Sequence, residues 1–80
     1  MFYVYLIQSL NFPNQTYVGF SEDFLSRFQD HNSGSSPHTS KYRPWKLVLL
    51  MTFDDKEKAQ TFEKYLKTGS GRSFSQRHFW

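Results

Sequence analysis

Cysteine is absent from these eighty residues, which excludes a disulfide framework and any thiolate metal site. Its absence also suits a reducing compartment. No apolar run approaches the roughly 20 residues needed to span a bilayer. Nor is Met1 followed by the basic and then apolar pattern of a secretory leader. The expectation is a soluble, cytoplasmic domain. Internal repeats are missing too. Only Ser33 to Ser40, SGSSPHTS, resembles a low-complexity linker, and eight residues are too few to separate domains. That stretch reads as a mobile surface loop, and residues 1–80 as a single domain. Basic side chains are scarce in the first half, where Arg27 stands alone; the other nine Lys and Arg follow residue 40.

Aromatics are what the chain has in excess: nine Phe, five Tyr and two Trp. Each buried ring removes roughly 150–250 Å² from water, so a short chain can close a core with them. The net charge of +3 is modest, but its concentration after residue 40 favours a polyanionic partner such as nucleic acid, although a solvated Lys-rich surface is the commoner explanation for charge alone.

Phe2 to Leu10, FYVYLIQSL, is rich in β-branched and aromatic residues and reads as a strand. Alternation puts Phe2, Val4, Leu6 and Gln8 on one face and Tyr3, Tyr5, Ile7 and Ser9 on the other. Both faces are largely apolar, which predicts a central strand covered on each side. Asn11-Phe12-Pro13-Asn14 carries turn chemistry, and Gln15 to Phe20 resumes the strand pattern, completing an antiparallel hairpin. Gly19 ends that strand and Ser21 can cap a helix, with Glu22 and Asp23 where the helix dipole favours negative charge. Phe24, Leu25 and Phe28 form its apolar stripe, and Gly34 is a suitable stop. Trp45 to Phe53, WKLVLLMTF, is the third strand. Asp54 and Glu57 have capping-box spacing ahead of a helix over Lys56 to Thr68, which faces Ala59, Phe62 and Leu66 inward and stops at Gly69. The tail from Ser70 to Trp80 is a candidate short helix. The coarse order is ββαβα plus that tail.

Glu63 is the most informative single position. It lies four residues after Ala59 and three before Leu66, so it shares the apolar stripe. A carboxylate taken toward a core needs a partner. Either Glu63 stands at the stripe's edge in a surface ion pair, or it is a single-carboxylate site for Mg²⁺, completed by water and phosphate oxygens. Arg27 and His31 lie one helical turn apart. Together they can clamp a phosphate, or they can mark the water boundary and the helix end. Tyr3, Tyr5 and Tyr17 suit strands on propensity alone. However, Tyr5 and Tyr17 lie on the two arms of the hairpin, and their hydroxyls could reach one pocket. A phenol, with a reference pKa of about 10, is a poor base without a nearby cation.

Tyr3-Val4-Tyr5, Tyr17-Val18-Gly19, Arg27 with His31 four residues on, and Glu63 on a later helix together resemble the GIY-YIG nuclease superfamily. HNSG after the first helix, KYRP before the third strand and EKYLKTGSGR near the end look like its small stand-alone branch, similar to the amino-terminal catalytic domain of the excision-repair nuclease. The resemblance covers nearly the whole chain. It implies an α/β (α+β) sandwich on a central three-stranded antiparallel sheet flanked by helices. It also implies an endonuclease, dependent on a single Mg²⁺ or Mn²⁺, that hydrolyses DNA phosphodiester bonds in repair or recombination. Carried over, Tyr17 or Tyr5 would deprotonate the attacking water, Arg27 would stabilise charge on the phosphoryl group, Glu63 would hold the metal, and His31 would orient the water or accept its proton. The first motif opens on Tyr3 where the family has glycine, and an asparagine that many members use near the metal has no clear counterpart after Glu63. Lys41, Arg43, Lys46, Lys64, Lys67, Arg72 and Arg77 would hold the DNA backbone, with little sequence specificity, alone or with a partner that delivers DNA. The rival reading is a non-catalytic nucleic-acid-binding module that keeps the fold.

Overall fold

The computed structural model describes all eighty residues, Met1–Trp80. Strands β1 (Phe2–Ser9) and β2 (Thr16–Ser21) precede helix α1 (Phe24–Ser33) and a single 3₁₀ turn over Ser40–Tyr42. Strand β3 (Trp45–Phe53) and helices α2 (Lys56–Leu66) and α3 (Gly69–His78) follow. The strands form one sheet in the order β2-β1-β3, antiparallel throughout. This is the α+β fold on a central three-stranded sheet expected from the sequence, and the candidate short helix of the tail is α3, ten residues long. No helix is long and apolar enough to cross a membrane.

The central place of β1 explains why its sequence is apolar on both faces. Val4, Tyr5, Leu6 and Ile7 are all at most 1% exposed. On one face Val4 and Leu6 pack with Ala59 and Leu66 of α2, with Phe62 and Phe79 around them. On the other, Tyr5 and Ile7 pack with Phe24 of α1 and Trp45 of β3, beside Tyr17 and Phe28.

Several local expectations shift. Leu10 is exposed beyond the end of β1. Ser21 stays in β2, and the N-cap of α1 is Asp23, whose carboxylate accepts from Ser26 N. The Ser21 hydroxyl supports the turn by accepting from Asp23 N. Leu25 is 72% exposed and leaves the stripe to Phe24 and Phe28, which stack at 5.5 Å; at 3.6 residues per turn those two share a face and Leu25 does not. Gly34 does close α1, in the left-handed conformation at φ 88°. Asp55 caps α2 in place of Asp54, accepting from Glu57 N and Lys58 N: β3 keeps its pairing as far as Phe53, so the chain needs one more residue to turn. Helix α2 ends at Leu66, and Gly69 opens a helix instead of stopping one, because Thr68 accepts from Gly71 N and starts α3.

The stretch after α1 lies at the surface as expected, with Ser35, Pro37 and His38 exposed, but two of its side chains turn inward. Ser36 and Thr39 are buried. Thr39 O accepts from the Trp45 indole at 3.0 Å, and Asn32 Oδ1 accepts from Trp45 N. Side-chain bonds thus tie this short polar stretch to the start of β3.

Candidate active site

The hairpin register places Tyr5 opposite Gly19 and Ile7 opposite Tyr17. The two tyrosines are therefore diagonal neighbours on one face of the sheet, with ring centroids 6.4 Å apart. Gly19 gives the Tyr5 ring its place. A Cβ at that position would collide with both Cζ and Oη of Tyr5, so the ring crosses β2 where β2 has no side chain.

Helix α1 brings Arg27 and His31 over the same face. His31 is fully buried, with Nε2 at 2.9 Å from Tyr5 Oη and Nδ1 at 2.7 Å from Thr39 Oγ1. Its ring lies 5.1 Å from that of Tyr17. Burial holds its pKa below the ordinary 6.5, and the Arg27 cation adds to this while Asp30 opposes it. The imidazole is thus neutral at pH 7, with one nitrogen donating and the other accepting. Tyr5, His31 and Thr39 form a continuous buried hydrogen-bond chain. Burial, with a smaller contribution from Tyr17, pushes the Tyr5 phenol up to about 12; Arg27 opposes this and Glu63 adds to it. Arg27 is half-exposed, and its Nη1 lies 3.7 Å from Asp30 Oδ2 in a loose surface pair.

Glu63 reaches the same region from α2. Its side chain is 14% exposed, and Lys67, one turn on and half-exposed, pairs with it at 2.5 Å. Lys67 Nζ also lies 5.7 Å from the Tyr17 ring centroid. Tyr5, Tyr17, Arg27, His31 and Glu63 are therefore brought together around β2, and Lys67 joins them. No group of three or more acidic, His or Cys side chains is assembled anywhere in the fold. Glu63 is the one hard oxygen anion beside the two tyrosines. That donor set fits a divalent cation of the Mg²⁺ type, which takes one or two carboxylates and completes its shell with water and phosphate oxygens. Lys67 engages one of the two Glu63 carboxylate oxygens, Oε2.

The seven basic residues expected at a nucleic-acid surface, Lys41, Arg43, Lys46, Lys64, Lys67, Arg72 and Arg77, are all exposed. Arg43 is tied to its own loop, donating to Ser40 O at 3.2 Å. Lys67 and Arg72 line one groove with Tyr17. Sequence reasoning missed Thr39, which carried no signal in a Ser-rich loop. It also read Gly19 merely as a strand end. The Lys67 pairing was legible from its i,i+4 spacing to Glu63.

The chain belongs to the GIY-YIG family: the family description, GIY-YIG catalytic domain, matches residues 1–77. Among curated relatives, the chain is similar to the structure-specific endonuclease subunit SLX1 homolog of Giardia intestinalis. Identity is 36% over 75 residues, covering 89% of this chain and 21% of that protein. It is likewise similar to the structure-specific endonuclease subunit SLX1 of Malassezia globosa, at 36% over 63 residues, covering 74% of this chain and 14% of the relative. The matched region thus spans about a fifth or less of these relatives' length.

Proposed function

We propose that this chain is a divalent-metal-dependent endonuclease that hydrolyses DNA phosphodiester bonds, selecting its substrate by structure more than by sequence. The observation that carries this reading is the meeting of Tyr5, Tyr17, Arg27, His31 and Glu63 around one edge strand, from four separate elements. The match to a catalytic domain and the names of both relatives support it. Those relatives are called subunits of structure-specific endonucleases. The reading therefore extends to a role in DNA repair or recombination and to a partner that delivers the DNA.

The two tyrosines have different roles. Tyr5 is buried, bonded to His31 and raised to about 12, which makes it a poor base at neutral pH. Tyr17 is only half-buried, so it takes the proton from the attacking water. Tyr5 and His31, anchored through Thr39, pack against the Tyr17 ring and hold its orientation. With both nitrogens engaged, His31 acts through this packing and does not touch the water itself. Arg27 donates to the non-bridging phosphate oxygens as charge develops on them; removing one such donor commonly costs about 10²–10³ in rate. Glu63 holds the cation, Mg²⁺ or Mn²⁺, which supplies charge neutralisation at the phosphate.

In a plasmid-nicking assay the purified protein nicks supercoiled DNA with Mg²⁺ or Mn²⁺ and stops on adding EDTA. Tyr17→Phe lowers the rate by about 10²–10⁴, the span of general-base contributions. The Glu63–Lys67 ion pair favours a second reading, a nucleic-acid-binding module with its carboxylate permanently neutralised. Salt-dependent DNA binding that EDTA leaves unchanged, with no cleavage at any metal concentration, would establish that reading in place of the first.

A further inference from the structure

A groove of about 640 Å³ runs from Tyr17 between the β1–β2 turn and α3, and the hydrolytic roles above do not use it. Its walls carry Lys67 and Arg72, the carboxamides of Gln8 and Gln76, and Trp80. No Asp or Glu lines it. Arg72 is exposed and has no acidic partner. Ser75 also lines the groove; it is 1% exposed and its hydroxyl is the one buried side-chain polar atom in the molecule without a hydrogen-bond partner. Trp80 is half-buried and anchored by its backbone N–H to Ser75 O at 3.0 Å.

We propose that this groove binds one to three unpaired nucleotides of the strand that leads away from Tyr17. The assignment rests on the nuclease reading for what lies at its Tyr17 end, and on its own chemistry for the ligand. Arg72, which no carboxylate opposes, and the half-exposed Lys67 at the groove's Tyr17 end, whose one acidic partner is Glu63, select a polyanion. An aromatic wall offers the stacking face on which single-stranded nucleic acids are held without sequence preference. Carboxamides serve base edges or sugar hydroxyls equally. The volume lies within the range of small-ligand pockets, about 300–1,000 Å³, so it has room for a few unpaired nucleotides and not for a base-paired helix. A nuclease with such a channel next to its proton acceptor would favour junctions where a duplex meets a single strand. Arg72, Trp80 and Ser75 would then be specificity residues outside the reacting centre.

The test uses intrinsic fluorescence, because the two tryptophans differ. Trp45 is 4% exposed and bonded to Thr39 O, so a ligand-dependent change reports on Trp80. With EDTA present, a six-residue oligothymidylate quenches the protein's fluorescence, and a blunt twelve-base-pair duplex of equal concentration does so much less. Trp80→Leu abolishes the quench and raises the oligothymidylate Kd about tenfold by fluorescence anisotropy, in line with the loss of one stacked base, whereas Trp80→Phe retains binding and guards against a folding artefact. Arg72→Gln weakens binding and makes the log Kd against log salt slope shallower by about 0.7, the value for one single-strand phosphate contact. Oligothymidylate affinity unchanged in both Trp80→Leu and Arg72→Gln overturns the assignment. Plasmid nicking on the same preparations keeps the two readings apart. Nicking without the tryptophan response overturns the groove and leaves the nuclease standing, and the response without nicking supports the groove and overturns the nuclease.

Discussion

The two faces of β1 are built from the same eight residues and do different work. Toward α2 the strand presents Val4 and Leu6 to Ala59 and Leu66, an apolar contact with no buried polar atom among its members. Toward α1 it presents Tyr5 and Ile7, and there a phenol, an imidazole and a hydroxyl are bonded in series below the surface. Alternation along one strand separates a layer that needs only volume from a layer that needs positioned atoms. On the first face a substitution should change stability and leave the site's chemistry intact. On the second it should disturb the site beyond what stability alone predicts.

The largest loss of stability is expected for Leu6→Ala. Leu6 is fully buried on the α2 face, so the change should cost about 2–5 kcal/mol by urea denaturation. Nicking per folded molecule should stay near wild type. Gly19→Ala is the mirror experiment. The new methyl meets the Tyr5 ring, an overpacking that costs about 1–3 kcal/mol, and nicking should fall by far more than the loss of folded protein explains. Thr39→Val leaves His31 Nδ1 without its partner. It should destabilise by about 1–3 kcal/mol and lower nicking measurably, although Thr39 touches no substrate.

The smallest effect is a pH dependence. His31 has its ordinary pKa of 6.5 in the unfolded chain and a lower one when folded. Between those values the unfolded state binds more protons, so His31 costs nothing above pH 6.5 and erodes stability as pH falls below it. Tm measured downward from pH 7 should fall, and the fall should be shallower in His31→Gln. A Tm that holds steady or rises as the pH drops below 6.5 would mean that the imidazole is charged in the native state.

Much of this fold is legible in the sequence alone. The two-faced apolar pattern of Phe2–Leu10 leads to the central strand, and β3 runs over the nine residues its composition marks, Trp45–Phe53. Tyr5 and Tyr17 meet because hairpin register follows from strand spacing, and Arg27 and His31 because four residues make one helical turn. Less legible is whatever depends on tertiary packing. Thr39 lies in a stretch whose composition argues for disorder, and its burial comes from bonds to His31 and Trp45 that no local pattern encodes. Leu25 is apolar and exposed because neighbours in sequence point about 100° apart on a helix. Asp54 loses the cap to Asp55 because β3 pairing extends through Phe53. The place of Glu63 beside Tyr17 requires α2 to pack across the sheet, which spacing alone does not supply.

Glu63 bears the most weight, as the carboxylate that brings α2 into a site otherwise built from β1, β2 and α1. The decisive measurement is metal-dependent plasmid nicking by Glu63→Gln beside wild type prepared in parallel, with Tm recorded for both. An exposed Lys67 loses little by parting from it, so Tm should change by only a few degrees, while nicking should fall about a hundredfold or more. Nicking by Glu63→Gln at the wild-type rate, with the same Mg²⁺ dependence, would contradict the assignment of this cluster as a metal-dependent active site.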